Sequence, residues 1–480
     1  MSNKQAVAEA ARRDAREGDF QVHLDAPLPD ELSEGPPNAL FVCGWCFHPA
    51  AKIRALGLVV NGGKPQPVMQ LGMPRLDVLR ALHPGRDPYD TGGMEVDPAS
   101  ADDPLLLSYL SGFWGLARTP ALAAGEVCHI TLRAELDGGE IAEAEVGAPE
   151  VSARPEPPSV EAPVPSAGPL VAICMAAYEP PMDLFARQIE SIRAQTHRNW
   201  ICIVSDDCSS PRRFADMQAL LGDDRRFVLS RSAGRLGFYR NFERALSLAT
   251  ADADYVAMVD QDDCWHTDKL EVLLREIGDA QLVYSDQRIV ARGGELISDT
   301  YWERRRNNHS DLLSLLVANS VTGAASLLRR DLLDYALPFP PAQFAHFHDH
   351  WIALTALALG EIAFVERPLY DYVQHGEASL GHAQANRMTT LRDRLATIRR
   401  DPRERVRKWR MHYFVDVCRL TQFAEVLSLR CGERMAPAKR RALERFLNAD
   451  TSLASVARLA ARGARELVGR PETLGAEWML

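Results

Sequence analysis

The sequence lacks both a long apolar run and a dense set of cysteines. Because no stretch reaches the roughly 18 apolar residues that a bilayer requires, it predicts no membrane-spanning helix. The segment before Phe20 mixes alanine with charges of both signs and has no apolar centre of a secretory signal. Nine cysteines in 480 residues do not indicate a disulfide framework. We therefore expect reduced cysteines and a cytoplasmic location.

The sequence also has no excess of positively charged residues. The formal net charge is -10 and the sequence pI is about 5.8, which argues against a general nucleic-acid binder. The hydrophobic and charged fractions, 46% and 25%, are ordinary for a globular protein. Because a single core rarely grows to this length, we expect two or three domains.

Local patterns divide the chain into consecutive regions. Short apolar runs separated by turn signals such as Asn61-Gly62-Gly63 are typical of a β-sandwich. A stretch rich in Pro, Ala and Ser then predicts a linker. The predicted regions are an N-terminal tail at 1–25, a β-sandwich accessory domain at 26–150, a linker at 151–168, an α/β domain at 169–385 and a helical region at 386–480.

The α/β domain begins with a continuous apolar strand and then alternates strands with helical segments. This alternation of strands and helices predicts a mostly parallel sheet that helices cover on both faces. In such sheets ligands bind beyond the carboxyl ends of the strands. Asp206 and Asp207 follow one predicted strand, and Asp260, Asp262 and Asp263 follow another, so we expect the acids to meet at one edge.

The triplet Asp260-Gln261-Asp262 directly follows the apolar run YVAMV. Carboxylates two residues apart at a strand end can share one hard cation, and Mg²⁺ and Mn²⁺ prefer oxygen ligands while keeping sites open for phosphates. A cation there stabilises a diphosphate as it leaves. The triplet is weak evidence alone, and its position after a buried strand strengthens it.

Several ordered blocks resemble the family 2 glycosyltransferases, and most of all their bacterial rhamnosyltransferase-like branch. The resemblance covers Pro169 to His382. It rests on the blocks VAICMAAYEP, IVSDDCSS, GRLGFYRNFERAL, VDQDDCWHTDKL, NSVTGAASLLRRDLL, HDHWIAL and PLYDYVQHGEASLG. It implies a GT-A fold, Rossmann-like with a mostly parallel sheet, and an inverting, metal-dependent transfer of a sugar from a nucleotide carrier to an acceptor hydroxyl.

The resemblance also implies roles for single residues. Asp349 would be the catalytic base, and Asp262 with His375 would bind Mn²⁺ or Mg²⁺. The implied nucleotide-binding residues are Ala177, Tyr178, Glu179, Asp206, Asp207, Arg235, Arg240, Asp260 and Gln261. The implied acceptor-binding residues are Trp265, Thr322, Gly323, His348 and Trp351.

Structural alternatives stand beside these roles. The resemblance does not choose between Asp206 and Asp207 as the contact to the base of the nucleotide. Asp349 would equally suit the cap of a helix beginning near Trp351. His375 could be an ordinary loop residue. Arg235 and Arg240 could be surface charges at the start of a helix, and Trp265 could pack in the core.

The substrates and setting follow from the resemblance alone. The donor would be a dTDP-, UDP- or GDP-linked sugar, and the acceptor a saccharide, either free or carried by a lipid. The expected setting is bacterial cell-surface polysaccharide synthesis, of O-antigen or capsule, in the cytoplasm or at the inner face of the membrane. The alternative is a non-catalytic glycan-binding protein with a degenerate transferase fold.

The two flanking regions have open interpretations. The N-terminal region resembles, more loosely, a β-sandwich found beside bacterial envelope glycosyltransferases. It would serve either as a folding or dimerisation module, which would give a homo-oligomer, or as a glycan-binding module. Residues 401–480 carry about six more basic than acidic side chains. That excess predicts either a solvated helical face or peripheral contact with an anionic membrane surface.

Overall fold

The computed structural model describes residues 20–84, 103, 105–156, 168–302, 307–342, 346–374, 416–449 and 452–467. The chain forms two compact units whose main boundary lies between Ala153 and Arg154. The helices of residues 416–467 belong to the second unit.

The first unit is built from two four-stranded sheets, in the orders β1-β3-β7-β6 and β5-β4-β8-β9, with β2 and β10 as a separate pair. A helix, α1, spans Leu76–Leu82. The strands are β1 Gln21–Leu24, β2 Glu31–Ser33, β3 Asn38–Phe47, β4 Ile53–Val60, β5 Gln66–Pro67, β6 Gln70–Met73, β7 Gly112–Thr119, β8 Ile130–Leu136, β9 Ile141–Gly147 and β10 Glu150–Ser152.

Both sheets contribute to one apolar core, which includes Leu40 and Phe113 from the first and Leu58 and Leu132 from the second. Burial alternates along β8, as expected for a strand with one covered face. The predicted sandwich is confirmed. The strand at Gln21–Leu24 pairs with β3 and belongs to the first sheet, whereas Glu150–Ser152 pairs with β2 outside both four-stranded sheets.

The second unit contains a nine-stranded mixed sheet with the order β13-β12-β11-β14-β18-β16-β19-β15, and β17 beside β16. Four neighbouring strands are parallel, as predicted, and β18 runs antiparallel between β14 and β16. The strands are β11 Val171–Ala177, β12 Trp200–Asp206, β13 Phe227–Arg231, β14 Tyr255–Asp260, β15 Cys264–Trp265, β16 Leu282–Ala291, β17 Leu296–Ser298, β18 Ser326–Arg329 and β19 Ile362–Gln374.

Helices cover the sheet because its central strands are apolar along their whole length; β12 is buried throughout. The helices are α2 Met182–Arg193, α3 Pro211–Leu221, α4 Phe238–Ser247, α5 Lys269–Glu276, α6 Leu312–Val317, α7 Leu333–Ala336, α8 His348–Leu359, α9 Cys418–Cys431, α10 Pro437–Leu447 and α11 Leu453–Leu467. In the part of the chain that the structure describes, none of them has the length and apolar character needed to cross a bilayer.

Strand register determines which residues meet at the carboxyl edge of the sheet. Ala177 lies opposite Asp206, and Ala176 lies opposite Asp260. On the other side of β14, Ala257 pairs with Leu327 in the antiparallel β18. The segment that precedes β18 therefore lies near the level of Asp260, and the sheet brings the nucleotide-side and acceptor-side segments to one edge.

Candidate active site

The loop after β11 is held by the middle residue of the acidic triplet. The side chain of Gln261 accepts a hydrogen bond from the Tyr178 backbone N–H (2.8 Å) and donates one to the Tyr178 carbonyl (3.2 Å). An amide is needed for this exchange because it alone offers a donor and an acceptor side by side. Ala177 is buried at the end of β11, where its carbonyl accepts from the backbone N–H of Asp207 (2.8 Å).

Glu179 anchors the same loop to the start of α3. Its carboxylate accepts from the Ser210 backbone N–H, and its own backbone N–H donates to Ser209 Oγ (2.9 Å). The hydrogen bond from Ser210, followed by the nearby Arg213, holds the pKa of Glu179 below its usual range. Its backbone has a φ of 41°, a conformation uncommon for residues other than glycine.

The paired aspartates after β12 are both buried. Asp206 accepts from the Ser209 backbone N–H, and its Oδ2 lies 3.4 Å from Arg231 Nε. Asp207 accepts from the backbone N–H groups of Leu236 (2.5 Å) and Gly237 (2.9 Å). Both carboxylates therefore hold the loops that surround the predicted nucleotide site, and the choice between them as a contact to the base stays open.

The two predicted phosphate-neutralising arginines differ in their surroundings. The exposed guanidinium of Arg235 lies 3.8 Å from the centre of the Tyr178 ring, next to the loop after β11. Arg240 donates to Glu243 (2.6 Å), a buried carboxylate that also accepts from the Phe339 backbone N–H. Because the charge of Arg240 is already neutralised, Arg235 is the better placed of the two to meet a phosphate.

The end of β14 carries the acidic cluster of Asp260, Asp262 and Asp263, and a fourth carboxylate lies within electrostatic range of it. Burial, and then the negative charges of Asp262 and Asp349, raise the pKa of Asp260 to about 7. Asp349 belongs to α8, far away in sequence. The predicted D-x-D pair and the predicted base therefore lie in one electrostatically coupled group.

A buried lysine partly compensates this negative charge. Lys269 Nζ donates to the Ala324 carbonyl and lies 4.0 Å from the centre of the Trp265 ring and 4.6 Å from that of Tyr370. Burial lowers its pKa, and the charge of Asp263 acts in the opposite direction. The same lysine thus links the acidic cluster to the segment that precedes β18.

The cluster fits a hard cation. Oδ2 of the buried Asp263 has no hydrogen-bond partner, and Asp263 lies within electrostatic range of Asp260 and Asp262. Within the described ranges, no three His, Cys, Asp or Glu side chains are close enough together to form a complete metal cage. A site with one or two carboxylates that leaves the other positions to phosphate oxygens is typical of Mg²⁺. His375, the other predicted ligand, lies outside the described residues.

Asp349 occupies the first turn of α8, and its Oδ1 accepts from the His350 backbone N–H (2.6 Å). The helix begins at His348, earlier than the predicted start near Trp351. The backbone is extended at Phe347 and becomes helical from the next residue. Asp349 is thus inside the helix and is not its N-cap. A negative charge in the first turn of a helix is also favoured by the helix dipole.

His348 and Gly323 meet beside this carboxylate. The imidazole stacks on Phe242 with 3.6 Å between ring centres, and burial lowers its pKa to about 3. A Cβ on Gly323 would lie 2.8 Å from His348 Nε2 and 3.3 Å from Asp349 Cβ. Thr322 immediately precedes the short 3-10 helix Gly323–Ala325 that makes this approach. His348 is thus a neutral packing residue that positions its neighbour.

Two residues predicted to bind the acceptor have their side chains in the core. Trp351 is 0% exposed, and its indole N–H donates to the Ala336 carbonyl (2.8 Å). Trp265 is 3% exposed and packs on Lys269. Neither indole offers a surface to an acceptor, so both stabilise the elements that carry the acids.

Sequence reasoning assigned no role to several residues that organise the site. Asn241 donates to the carbonyls of Ala177 (3.2 Å) and Ser205 (2.9 Å), and Arg244 donates to Ser205 Oγ (2.7 Å). These two residues lie one turn apart on α4, and this spacing could have indicated that their side chains share one face of the helix. Arg419 of α9 lies within electrostatic range of Asp349. No local pattern marked it, because its partner is distant in the sequence.

Part of the second unit is similar to known protein families. The sequence model of Glycosyl transferase family 2 matches residues 172–336. Protein CgeD of Bacillus subtilis (strain 168) is 31% identical over 144 residues, which are 28% of this chain and 33% of that protein. Uncharacterized protein y4gI of Sinorhizobium fredii (strain NBRC 101917 / NGR234) is 29% identical over 133 residues, 26% of this chain and 14% of that protein. The chain thus spans about a third or less of the length of these relatives.

Solved structures show weaker similarity. TarS residues 1–349 of S. aureus, in complex with UDP-GlcNAc, is 14% identical with a TM-score of 0.36, over 62% of this chain and 92% of that chain. The mannosyltransferase PcManGT from Pyrobaculum calidifontis, in complex with GDP-Man and Mn²⁺, is 17% identical with a TM-score of 0.34, over 64% and 83%.

The matched segment contains β11 to β14, the acidic triplet and the segment before β18. It lies within the predicted α/β domain, and two of its parallel strands, β12 and β14, end in Asp206 and Asp260. Residues 172–336 are therefore similar in sequence to glycosyl transferase family 2, and they form part of the mixed α/β sheet of the second unit.

Proposed function

We propose that this chain is an inverting glycosyltransferase that moves a sugar from a nucleotide carrier to a hydroxyl of a saccharide acceptor. One observation carries the proposal: the charges of Asp262 and Asp349 both act on Asp260. The acids needed at the diphosphate and the acid needed at the acceptor are therefore neighbours. A degenerate binding protein would have no requirement to keep all three.

In this proposal Asp349 is the general base. Inversion in one displacement requires the acceptor oxygen to attack the sugar carbon opposite the leaving diphosphate while its proton departs. A carboxylate within hydrogen-bond reach of the hydroxyl takes that proton. The first-turn position of Asp349 and the nearby charge of Arg419 support an ionised carboxylate.

The diphosphate end would be held by the other half of the site. Asp262, with Asp260 and Asp263 beside it, would hold Mn²⁺ or Mg²⁺, and His375 is a further proposed ligand. The bound cation would neutralise negative charge on the leaving diphosphate. Arg235 would contact a phosphate oxygen, and Tyr178 would line the nucleotide pocket.

The wider setting is also a proposal. We propose a dTDP-, UDP- or GDP-linked donor and a role in bacterial cell-surface polysaccharide synthesis, either in the cytoplasm or on the inner face of its membrane. The sandwich would serve as an accessory module for oligomerisation or glycan binding. The basic C-terminal helices would make peripheral contact with anionic lipid.

The deciding experiment measures thermal stability of the full chain with UDP, GDP, dTDP and CDP, each with and without Mn²⁺. Stabilisation by one nucleotide only when metal is present would support the proposal and identify the donor class. Release of free sugar from the matching nucleotide-sugar would then establish donor activation. Absence of stabilisation by all four would favour a glycan-binding protein.

A further inference from the structure

An exposed aromatic residue lies beside the proposed base. Phe238, the first residue of α4, is 49% exposed, and its neighbour Leu236 is 42% exposed. The Phe238 ring contacts that of Phe347, with 5.8 Å between centres. Large apolar side chains that remain exposed next to one another at the rim of a site commonly mark a binding surface.

The chain fixes this aromatic residue from both sides. Asp207 holds the backbone N–H groups of Leu236 and Gly237, which fixes the loop that leads into Phe238. On the opposite side, the guanidinium of Arg419 lies 5.9 Å from the centre of the Phe347 ring. One turn further along α4, Phe242 stacks on His348. Phe238 is therefore an exposed ring on a rigid support.

The position of the pair connects the two halves of the site. Phe238 follows Arg235, whose guanidinium covers the Tyr178 ring on the nucleotide side. Phe347 precedes Asp349 by two residues, on the acceptor side. The Arg419 guanidinium lies over the Phe347 ring and within electrostatic range of Asp349, so the aromatic pair and the proposed base share a neighbour.

We propose that Phe238, supported by Phe347, is a platform on which the acceptor pyranose ring stacks; this inference rests on the proposed function. A pyranose ring has an apolar face of C–H groups whose partial positive charge suits the negative face of an aromatic ring. Its hydroxyl groups point outward from the edge, where Asp349 would accept the proton of one of them. A lipid chain would cover the ring but would bring no hydroxyl to the base.

The test measures binding of the methyl pyranosides of glucose, galactose, mannose and rhamnose to the full chain by saturation-transfer NMR. Each is added with Mg²⁺ and the nucleotide that stabilises the wild type. We expect Phe238→Ala to weaken binding of the preferred glycoside by about tenfold, or about 1.4 kcal/mol. Phe238→Tyr should keep wild-type affinity because the aromatic face remains. Phe238→Leu should behave like the alanine variant.

Leu296→Ala, which removes an apolar side chain that is 53% exposed on β17, is the matched control and should leave binding unchanged. Three outcomes would overturn the platform: wild-type affinity in Phe238→Ala, wild-type affinity in Phe238→Leu, or binding of none of the four glycosides. The second outcome would indicate a general apolar surface suited to lipid. The wild type should still bind nucleotide if only the platform is wrong. If the proposed function is wrong, nucleotide binding should be absent as well.

Discussion

Gly323 and His348 approach so closely that no side chain can be added at position 323 without displacing the imidazole. A Cβ would lie 2.8 Å from His348 Nε2, and the ring cannot move freely because it stacks on Phe242. Asp349 is the next residue. The location of the proposed base therefore depends on glycine in a segment distant in sequence.

Gly323→Ala should accordingly impair transfer more than folding. We expect a loss of about 1–3 kcal/mol in the free energy of unfolding, typical of overpacking, and a lower kcat because Asp349 shifts. Urea denaturation and initial rates would measure both. Gly138→Ala, where a Cβ meets nothing within 4 Å, is the control. Wild-type kcat in Gly323→Ala would contradict the importance of this contact.

Asp349→Asn should abolish transfer and preserve nucleotide binding. The amide oxygen can still accept from the His350 backbone N–H, so α8 should keep its start. Loss of the base should reduce kcat by about 10²–10⁴-fold. The measurements are steady-state turnover and nucleotide-dependent thermal stabilisation. Turnover near that of the wild type would exclude Asp349 as the base.

Asp262→Ala should remove the metal dependence of nucleotide binding. Titration of the nucleotide by calorimetry, with and without Mn²⁺, should give the same weak affinity in both conditions. Asp252→Ala is the matched control, since Asp252 is exposed just before β14, at the opposite end of the strand. Metal dependence that survives in Asp262→Ala would place the cation elsewhere.

Metal affinity should increase with pH up to about 7. Burial and neighbouring carboxylates raise the pKa of Asp260 to about 7, and its proton must leave before the cation binds. Mn²⁺ affinity should therefore rise by up to about tenfold per pH unit below that pKa and level off above it. Asp260→Asn should flatten the profile, whereas a slope that persists would point to another group.

The metal-free protein should respond to pH in the opposite direction. Between about pH 4, the ordinary pKa of an aspartate, and pH 7, the folded state retains a proton on Asp260 that the unfolded chain has released. The stability of the folded state therefore decreases as pH rises through this window. Melting temperatures in EDTA should show the decrease, and added Mn²⁺ should reverse it.

Lys269 and Asp263 should show strong energetic coupling. Lys269→Met leaves buried carboxylates without the nearest buried cation and should cost about 3 kcal/mol in unfolding free energy. Adding Asp263→Asn should restore part of that loss. A double-mutant cycle by denaturation should give a coupling of about 1–3 kcal/mol. Additive effects would show that the two charges do not interact.

The parallel half of the sheet could be predicted from the sequence because the patterns that indicate it lie within short segments. Apolar strands, helical spacing and acids at strand ends are all visible within short windows, and Asp206 and Asp260 do lie at the carboxyl edge. The antiparallel β18 was not foreseeable, since its place between β14 and β16 depends on pairing across the whole domain.

Two indoles near the acids lie in surroundings that the sequence does not reveal. Trp265 and Trp351 stand next to acidic motif residues in sequence, yet adjacent side chains can point to opposite environments, and both indoles are buried. The importance of Lys269 and Arg419 depends on partners in other elements. Short motifs thus identified the acids, but not the groups that position them.

Gln261 uses both halves of its amide on the main chain of Tyr178. Glutamate at this position would lose the donor and would add another negative charge to an already acidic cluster. Natural variation at the middle of this triplet should therefore be as restricted as at its two aspartates. Related chains that use the same site should be recognisable by an amide between the acids.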